Sequence, residues 1–384
     1  MSQLDIFYVL NSRFPTIKAY GLQVAKTCEG LKRAGSRVRL IVPMRKIHKE
    51  IQGKTWQELY NIRDSVRLIR LPSLDLTWLG FNGKIFFAIQ QFGFAVLARL
   101  YLIRKRGIVY SRDQFVLYLL SFFNKKPLFW EVHRLPERMD LRVYKRLLAK
   151  LSGIVVISHG LKERLSKIYG PVRILVAPDG IDLEEFNTAL SVHDARSRLG
   201  LSHDKIIIMY VGHLFEWKGV DVLIEAAQGL GSDFEVVVVG GAQEDIARLR
   251  SRDMRHRVRF EGFKNHTEIP RYLSAADIVV LPNKKDGDIS EFYTSPLKMF
   301  EYMAMGKAII ASDLPSIREV LNESNAILIT PGNATVLRQT IQELARDPEK
   351  MQRLGTRARH DALQYSWHIR GTLITDFINH AISR

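Results

Sequence analysis

Two stretches of the chain carry glycines and charged residues at spacings that could hold a phosphorylated ligand. The first is Gly212-His213-Leu214-Phe215-Glu216-Trp217-Lys218-Gly219, which follows the apolar run Lys205–Val211 and precedes a helical pattern over Gly219–Gln228. Glycine at such a turn lets the backbone approach an anion closely, a helix N-terminus offers free N–H groups, and Lys218 adds a full charge. The pattern is neither a Walker A loop nor G-x-G-x-x-G. Alone, it also suits a plain strand-to-helix turn with a surface lysine. The second stretch, Ser295-Pro296-Leu297-Lys298-Met299-Phe300-Glu301, is more specific. Ser295 suits a helix cap and Pro296 the first helical position, so Pro296–Met305 is expected as a helix. Lys298 and Glu301, three apart, share one of its faces. A carboxylate there can accept both hydroxyls of a ribose, while Lys218, Lys298 and two helix ends would hold a diphosphate. The alternative for Glu301 is a surface ion pair with Lys298.

Three further candidates are weaker. His133, in Phe129-Trp130-Glu131-Val132-His133-Arg134, ends a strand pattern and could face a ligand, or be a satisfied histidine at a strand end. His159, after Ser158, is similar. Asp286-Gly287-Asp288 spells D-x-D, and two such carboxylates could take Mg²⁺ or Mn²⁺. With lysines and helix ends already available for phosphates, a solvated loop is expected there and metal is not. The sequence has no Cys/His cluster of the zinc type and no serine nucleophile elbow.

These residues need a scaffold, and the chain supplies one by alternating short apolar runs with amphipathic stretches, the mark of βαβ units and parallel sheets. Strands are expected at Asp5–Leu10, Arg37–Val42, Val66–Leu71, Ile108–Tyr110, Pro127–Val132, Gly153–Ile157 and Ile174–Ala177, with a helix over Ala19–Ala34. A second series follows at Lys205–Val211, Phe234–Val239, Val258–Phe260, Ile278–Leu281, Ala308–Ala311 and Ala326–Ile329. The expected class is α/β, with two doubly wound sheets in tandem and ligands outside the carboxyl ends of the strands. Residues 1–186 form the first domain and 187–365 the second; 366–384 form a helix expected to pack back on the first. The junction is placed in the polar stretch between Asn187 and Asp204.

The 384 residues suffice for two domains, and 46% hydrophobic with 25% charged residues excludes collagen, a coiled-coil rod or a mostly disordered chain. The single cysteine, Cys28, cannot close an internal disulfide. The start, MSQLDIFYVLNSRFP, reads as a first strand and not a signal peptide, which suggests a cytoplasmic protein. The net charge of +17 is uneven: residues 1–180 hold 32 Lys and Arg against 12 Asp and Glu, and residues 181–384 hold 25 against 28. A basic half attracts anionic membranes, nucleic acid or a phosphorylated substrate, or is simply a solvated surface. Nucleic acid is not expected, since no recognition motif accompanies the charge. Ile85–Ile103 is Phe-rich, interrupted by Gln90, Gln91 and Arg99, and followed by Arg104-Lys105-Arg106. It reads as a helix packed on a sheet or lying in a bilayer interface, not a span. That makes peripheral attachment to the inner face of an anionic cell membrane an expectation.

Taken together, GHLFEWKGVDVLIEAA and SPLKMFEYMAMGKAIIASDLPSIREVL resemble glycosyltransferase family 4, the glycosyl transferases group 1. FPTIKAYGLQVAKTCEGL, VAPDGIDLEEF and ADIVVLPN agree with this, so the resemblance spans nearly the whole chain. It implies the GT-B fold, two Rossmann-like domains facing across a cleft. The implied activity is a retaining, metal-independent transfer from a UDP- or GDP-linked sugar to a glycan, lipid or lipid-linked acceptor, with no other cofactor. The second half would take the nucleotide sugar and the basic first half the acceptor. The resemblance further implies that Lys218 binds the diphosphate, Glu301 the ribose, and backbone around Ser295, Pro296 and Leu297 the phosphates. Gly212 and His213 would form the phosphate turn, Phe263 would lie by the base and Gly240 would line the pocket. His133 would sit by the donor sugar without acting as an inverting enzyme's base. Two positions depart from the family pattern: Tyr293 stands where a first glutamate is usual, and His213 where arginine is usual. The missing glutamate keeps open a non-catalytic nucleotide-sugar-binding subunit, and the fold keeps open a sugar-nucleotide epimerase.

Overall fold

A computed structural model describes residues 3–48, 51–76, 78, 80, 83–122, 126–135, 141–170, 172–187, 190–293 and 295–383. The chain divides into two compact units, Met1–Pro178 with Trp367–Arg384, and Asp179–Ser366.

Among the described residues the first unit holds seven strands: β1 (Asp5–Val9), β2 (Arg37–Pro43), β3 (Arg67–Leu71), β4 (Ile108–Ser111), β5 (Leu128–Val132), β6 (Gly153–Val156) and β7 (Ile174–Val176). They lie in the order β3-β2-β1-β4-β5-β6-β7, with all pairings parallel. Central strands read as unbroken apolar runs because helices cover both faces of such a sheet. Val9 is opposite Ile41 and Ser111, and Ser111 is opposite Trp130. That register brings the carboxyl ends of β2, β1, β4 and β5 together, so the residues that follow them share one edge.

The last helix, Trp367–Ile382, belongs to this unit and packs on the helix Ala19–Arg33. The two backbones meet at Gly30 and Gly371, where a Cβ on either glycine would strike the other helix's carbonyls. The helix Lys84–Leu102 is half-packed. Phe94, Ala95, Ala98 and Leu102 are buried, while Ile85 (73%), Phe87 (59%), Phe92 (52%) and Leu100 (59%) are exposed. By length and composition it could cross a bilayer, but one face is committed to the unit's core.

The second unit holds β8 (Ile206–Val211), β9 (Phe234–Val239), β10 (Val258–Gly262), β11 (Ile278–Leu281), β12 (Ala308–Ser312) and β13 (Ile327–Ile329). Their order is β10-β9-β8-β11-β12-β13, again parallel. The order reverses between β8 and β11, the switch point at which such sheets bind ligands. The unit begins at Asp179, ahead of the polar stretch that the sequence suggests. Ile181 donates its N–H to Tyr365 O at 2.8 Å, bridges to Ser366, and is buried with Phe186 in this unit's core. Core membership decides the boundary here, and a polar stretch does not report it.

Candidate functional site

The residues that leave the switch point of the second unit carry the candidate chemistry. β8 ends at Val211 and is followed by Gly212, whose φ of 134° lies outside the range ordinary side chains favour. A Cβ there would sit 2.6 Å from Lys298 Nζ, so glycine is what lets the lysine reach the turn. The neighbouring loop after β9 does the same: Gly240 (φ 112°) donates to Gly262 O at 2.8 Å, and a Cβ on it would strike Gly212 O. The helix expected over Gly219–Gln228 is present, and Lys218 stands just ahead of it. Lys218 ends a 3₁₀ turn, Glu216–Lys218, and the helix proper is Val220–Ala227.

The second motif forms the helix Leu297–Ala304, one residue shorter at each end than expected. Pro296 is its cap residue. The Ser295 hydroxyl does not cap the helix; it accepts the N–H of Asp179 at 3.1 Å, which ties the helix start to the beginning of the unit. Lys298 and Glu301 face inward and are only 8% and 6% exposed, and Lys218 is 9% exposed. The surface ion pair between Lys298 and Glu301 is therefore excluded by burial.

The two ammonium groups are short of partners. Lys298 Nζ has no hydrogen-bond acceptor and lies 3.7 Å from the centre of the Tyr210 ring. Lys218 Nζ lies 3.7 Å from the centre of the Trp217 ring. Burial pushes the Lys218 ammonium down to about 7. Burial, reinforced by Lys218, pushes Lys298 well below the usual lysine range despite the pull of Glu301. Two buried lysines held ready but partly uncharged suit a ligand that brings its own negative charge.

Glu301 is bound by a residue the sequence did not single out. His266 Nε2 is 2.9 Å from Glu301 Oε1, and its Nδ1 is 3.1 Å from Glu185 Oε1. Burial alone would lower the imidazole, but hydrogen bonds to Glu185 and Glu301 overcome it and hold the ring up at about 10. At neutral pH the cluster is carboxylate–imidazolium–carboxylate. Glu301 Oε2 takes no protein partner among the described residues and is left to accept hydroxyls.

The remaining expected residues of this motif set lie in the same unit. His213 stacks on Phe215 (centroids 5.2 Å, 16°), and its backbone carbonyl accepts the Tyr210 hydroxyl at 2.6 Å. Phe263, just past β10, is 53% exposed. Tyr293 is buried. The Asp286–Glu291 segment includes the start of a short helix, Gly287–Phe292, in which Glu291 pairs with Lys285 at 3.2 Å. Among the described residues no group of three or more His, Cys, Asp and Glu is placed to hold a metal.

His133 belongs to the first unit. Its Nε2 is 2.9 Å from Oε1 of Glu131, a carboxylate wholly buried at the end of β5. Glu131 also accepts from Tyr8 (2.8 Å), Gln23 (2.7 Å) and Arg370 (2.7 Å). Burial raises this carboxyl, but Arg370, His133 and Arg112 outweigh it and hold the group well below the usual range. The ion fixes the orientation of the His133 ring, as a metal-free relative of the carboxylate–histidine pairing used in many sites.

Comparison with known proteins fits this geometry. Residues 192–361 match the model of the family described as Glycosyl transferases group 1. The alpha-D-kanosaminyltransferase of Streptomyces kanamyceticus is 30% identical over 43% of this chain and 42% of its own length, so the chain matches less than half of that relative. In structure, the sucrose-phosphate synthase of Thermosynechococcus elongatus superposes with a TM-score of 0.78 at 21% identity, over 99% of this chain and all of that one. HepE of Anabaena, solved with UDP, superposes with a TM-score of 0.76 at 18% identity, over 98% of this chain and all of that one.

Proposed function

We propose, from the premise that the C-terminal unit is a glycosyl transferases group 1 domain on a GT-B chain, that the protein is a retaining, metal-independent glycosyltransferase. It takes a UDP- or GDP-linked sugar in the second unit and passes the sugar to a glycan, lipid or lipid-linked acceptor held by the basic first unit. The observation that carries the reading is the pair of buried lysines beside Glu301. The diphosphate neutralises both ammonium groups, and they in turn stabilise it as it departs, with positioning supplying the rest of the barrier reduction. Glu301 Oε2 takes the ribose hydroxyls and the exposed ring of Phe263 supports the base. Retention follows from the motif resemblance.

Calorimetric titration of UDP and GDP tests the donor half. Lys218 is mostly uncharged at pH 8, whereas a diphosphate is already fully ionised there. Binding therefore draws close to one proton or more from the buffer, and the heat measured at pH 8 changes with the buffer's ionisation enthalpy. The Lys218 share of this uptake fades below about pH 6, where the ammonium is already formed. Failure of both nucleotides to bind removes the reading. Binding with no proton uptake removes the role given to Lys218.

Metal independence is read in the same experiment. Excess EDTA leaves the affinity for the preferred nucleotide within about twofold, because the charge on the phosphates is met by lysines. A strict need for Mn²⁺ or Mg²⁺ would return the D-x-D triplet at Asp286 to the site.

The exposed face of Lys84–Leu102, with Arg104-Lys105-Arg106 behind it, supports peripheral attachment to the inner face of the cell membrane. Each basic residue near an anionic surface contributes about 1 kcal/mol, screened over roughly 8–10 Å, and buried Phe and Leu add an area term that salt does not touch. In vesicle co-sedimentation the chain binds anionic vesicles at low salt, binds more weakly at high salt, and binds neutral vesicles poorly. Equal binding to anionic and neutral vesicles at low salt rules this attachment out.

A further inference from the structure

Three half-buried arginines stand at one edge of the first unit's sheet. Arg13 follows β1, Arg45 follows β2, and Arg112 comes directly after β4, and the register of these strands brings their ends together. Tyr20 lies within the field of all three, and its hydroxyl donates to Arg13 O at 2.9 Å.

Each guanidinium carries five N–H donors. Among the described residues only one nitrogen of each side chain finds an acceptor. Arg13 Nη2 meets both oxygens of Asp75 at 3.0 Å, Arg45 Nη2 meets Asn11 Oδ1 at 2.9 Å, and Arg112 Nη1 meets Gln23 Oε1 at 2.5 Å. The Nε atoms of Arg13 and Arg45 are buried with no partner. The carboxylates nearby are already engaged, and Glu131, in the field of Arg112, is held by Tyr8, Gln23, His133 and Arg370. Asp75 also accepts the Lys46 N–H at 3.1 Å, and Asp113 caps the helix Gln114–Ser121 through the Val116 N–H at 2.9 Å. Lys46 adds a fourth cation, 5.4 Å from the Trp78 ring, which Arg13 also approaches at 5.6 Å. Like charges gathered with most of their donors unspent are costly unless an anion completes them. The planar fork of arginine matches the oxygens of phosphate and carboxylate better than any neutral hydroxyl.

We infer that Arg13, Arg45 and Arg112 form an oxyanion subsite for a phosphate or carboxylate carried by the acceptor. The inference rests on the reading that the first unit receives the acceptor, and it narrows that acceptor to an anionic one. The donor's own diphosphate is accounted for by Lys218 and Lys298 in the other unit.

The test uses the full chain with its donor site saturated by UDP or GDP, whichever binds, so that added anions cannot occupy the lysine site. Glucose 1-phosphate, glucuronate and farnesyl diphosphate are then titrated, with glucose as the neutral control. At least one anionic probe binds tenfold or more tightly than glucose, and the one preferred shows whether the anion is a sugar phosphate, a sugar carboxylate or a lipid diphosphate. Arg45→Gln and Arg112→Gln each weaken that probe at least tenfold and leave the nucleotide affinity unchanged. In Lys298→Met, without nucleotide, the probe still binds. Binding of glucose as tight as that of the anions, no anion binding, indifference to the arginine substitutions, or loss in Lys298→Met each overturns the inference. Should the variants not fold, phenylglyoxal labelling of the natural protein with peptide mapping decides it: the probe protects Arg45 and Arg112, and absence of protection overturns the subsite. Failure of the donor reading is seen separately, as a lack of nucleotide binding before any anion is added.

Discussion

Lys298→Met makes the ligand-free protein more stable and weakens nucleotide binding at least tenfold. The two effects have one cause. Lys298 is buried and its Nζ has no acceptor, so folding requires either an unpaired buried ammonium or loss of its proton. Methionine has similar length and no charge to desolvate. Replacing buried ions by apolar groups of like volume commonly gains on the order of 1–4 kcal/mol, and for a domain of this size each kcal/mol is worth roughly 2–4 °C in melting temperature. The same ammonium, once a diphosphate arrives, makes charge-assisted hydrogen bonds whose loss costs about 1.5–3 kcal/mol each. Lys218→Ala is expected to weaken the donor at least tenfold for that reason, and Glu301→Ala likewise through the ribose. Lys218→Ala combined with Lys298→Met falls short of the product of the single effects, because the lysines share a ligand and repel each other. Melting curves with and without UDP or GDP measure both halves of the prediction. A Lys298→Met protein that melts lower and binds nucleotide as tightly as the natural protein would refute the assignment of this lysine to the diphosphate.

How much of this was legible in the sequence depends on the range of the interaction. The thirteen strands among the described residues follow from short apolar runs bounded by turn residues, because burial on both faces of a parallel sheet leaves a local mark. Lys218, Lys298 and Glu301 could be singled out because each sits beside a glycine or proline turn in a recognisable string. His266 could not. It lies in Asn265-His266-Thr267-Glu268, which reads as an ordinary capped turn, and Asn265 and Glu268 indeed cap it. Its partners are 81 and 35 positions away, and only the folded sheet brings them to it. Glu185 lies in VAPDGIDLEEF, where nothing local distinguishes it from Glu184. Glu131, next but one to His133, shows no role in the sequence, because its ligands come from β1, from the helix Ala19–Arg33 and from the last helix. Ser295 departs from the local rule for a helix cap for the opposite reason: Asp179, far along the chain, takes its hydroxyl.

His266→Gln destabilises the protein strongly at pH 6 and hardly at all at pH 10. The imidazolium lies between two buried carboxylates, Glu185 and Glu301, and removing it takes from both the cation that is hydrogen-bonded to them. Breaking a buried pair in this way costs about 3–5 kcal/mol. The pH dependence follows from linkage. The folded-state pKa, about 10, lies above the ordinary value of 6.5, so the folded protein holds a proton that the unfolded chain gives up between those limits. The stabilisation is complete below about pH 6.5 and is lost as the pH rises through 10. At about 1.4 kcal/mol per pKa unit, the lift corresponds to several kcal/mol, the same size as the cost of breaking the pair. Lys218 and Lys298 titrate in this window with the opposite sign, since their folded-state values are depressed and the stability tied to them grows as the pH rises. Their slope is common to both proteins and cancels in the difference. Urea unfolding of the natural protein and His266→Gln at pH 6, 8 and 10 therefore isolates the histidine. A gap that stays constant across the series would mean that His266 is neutral and serves only as a hydrogen-bonding spacer. A gap that closes toward pH 10 identifies the imidazolium as the charge that permits a bare carboxylate oxygen of Glu301 to wait for the ribose.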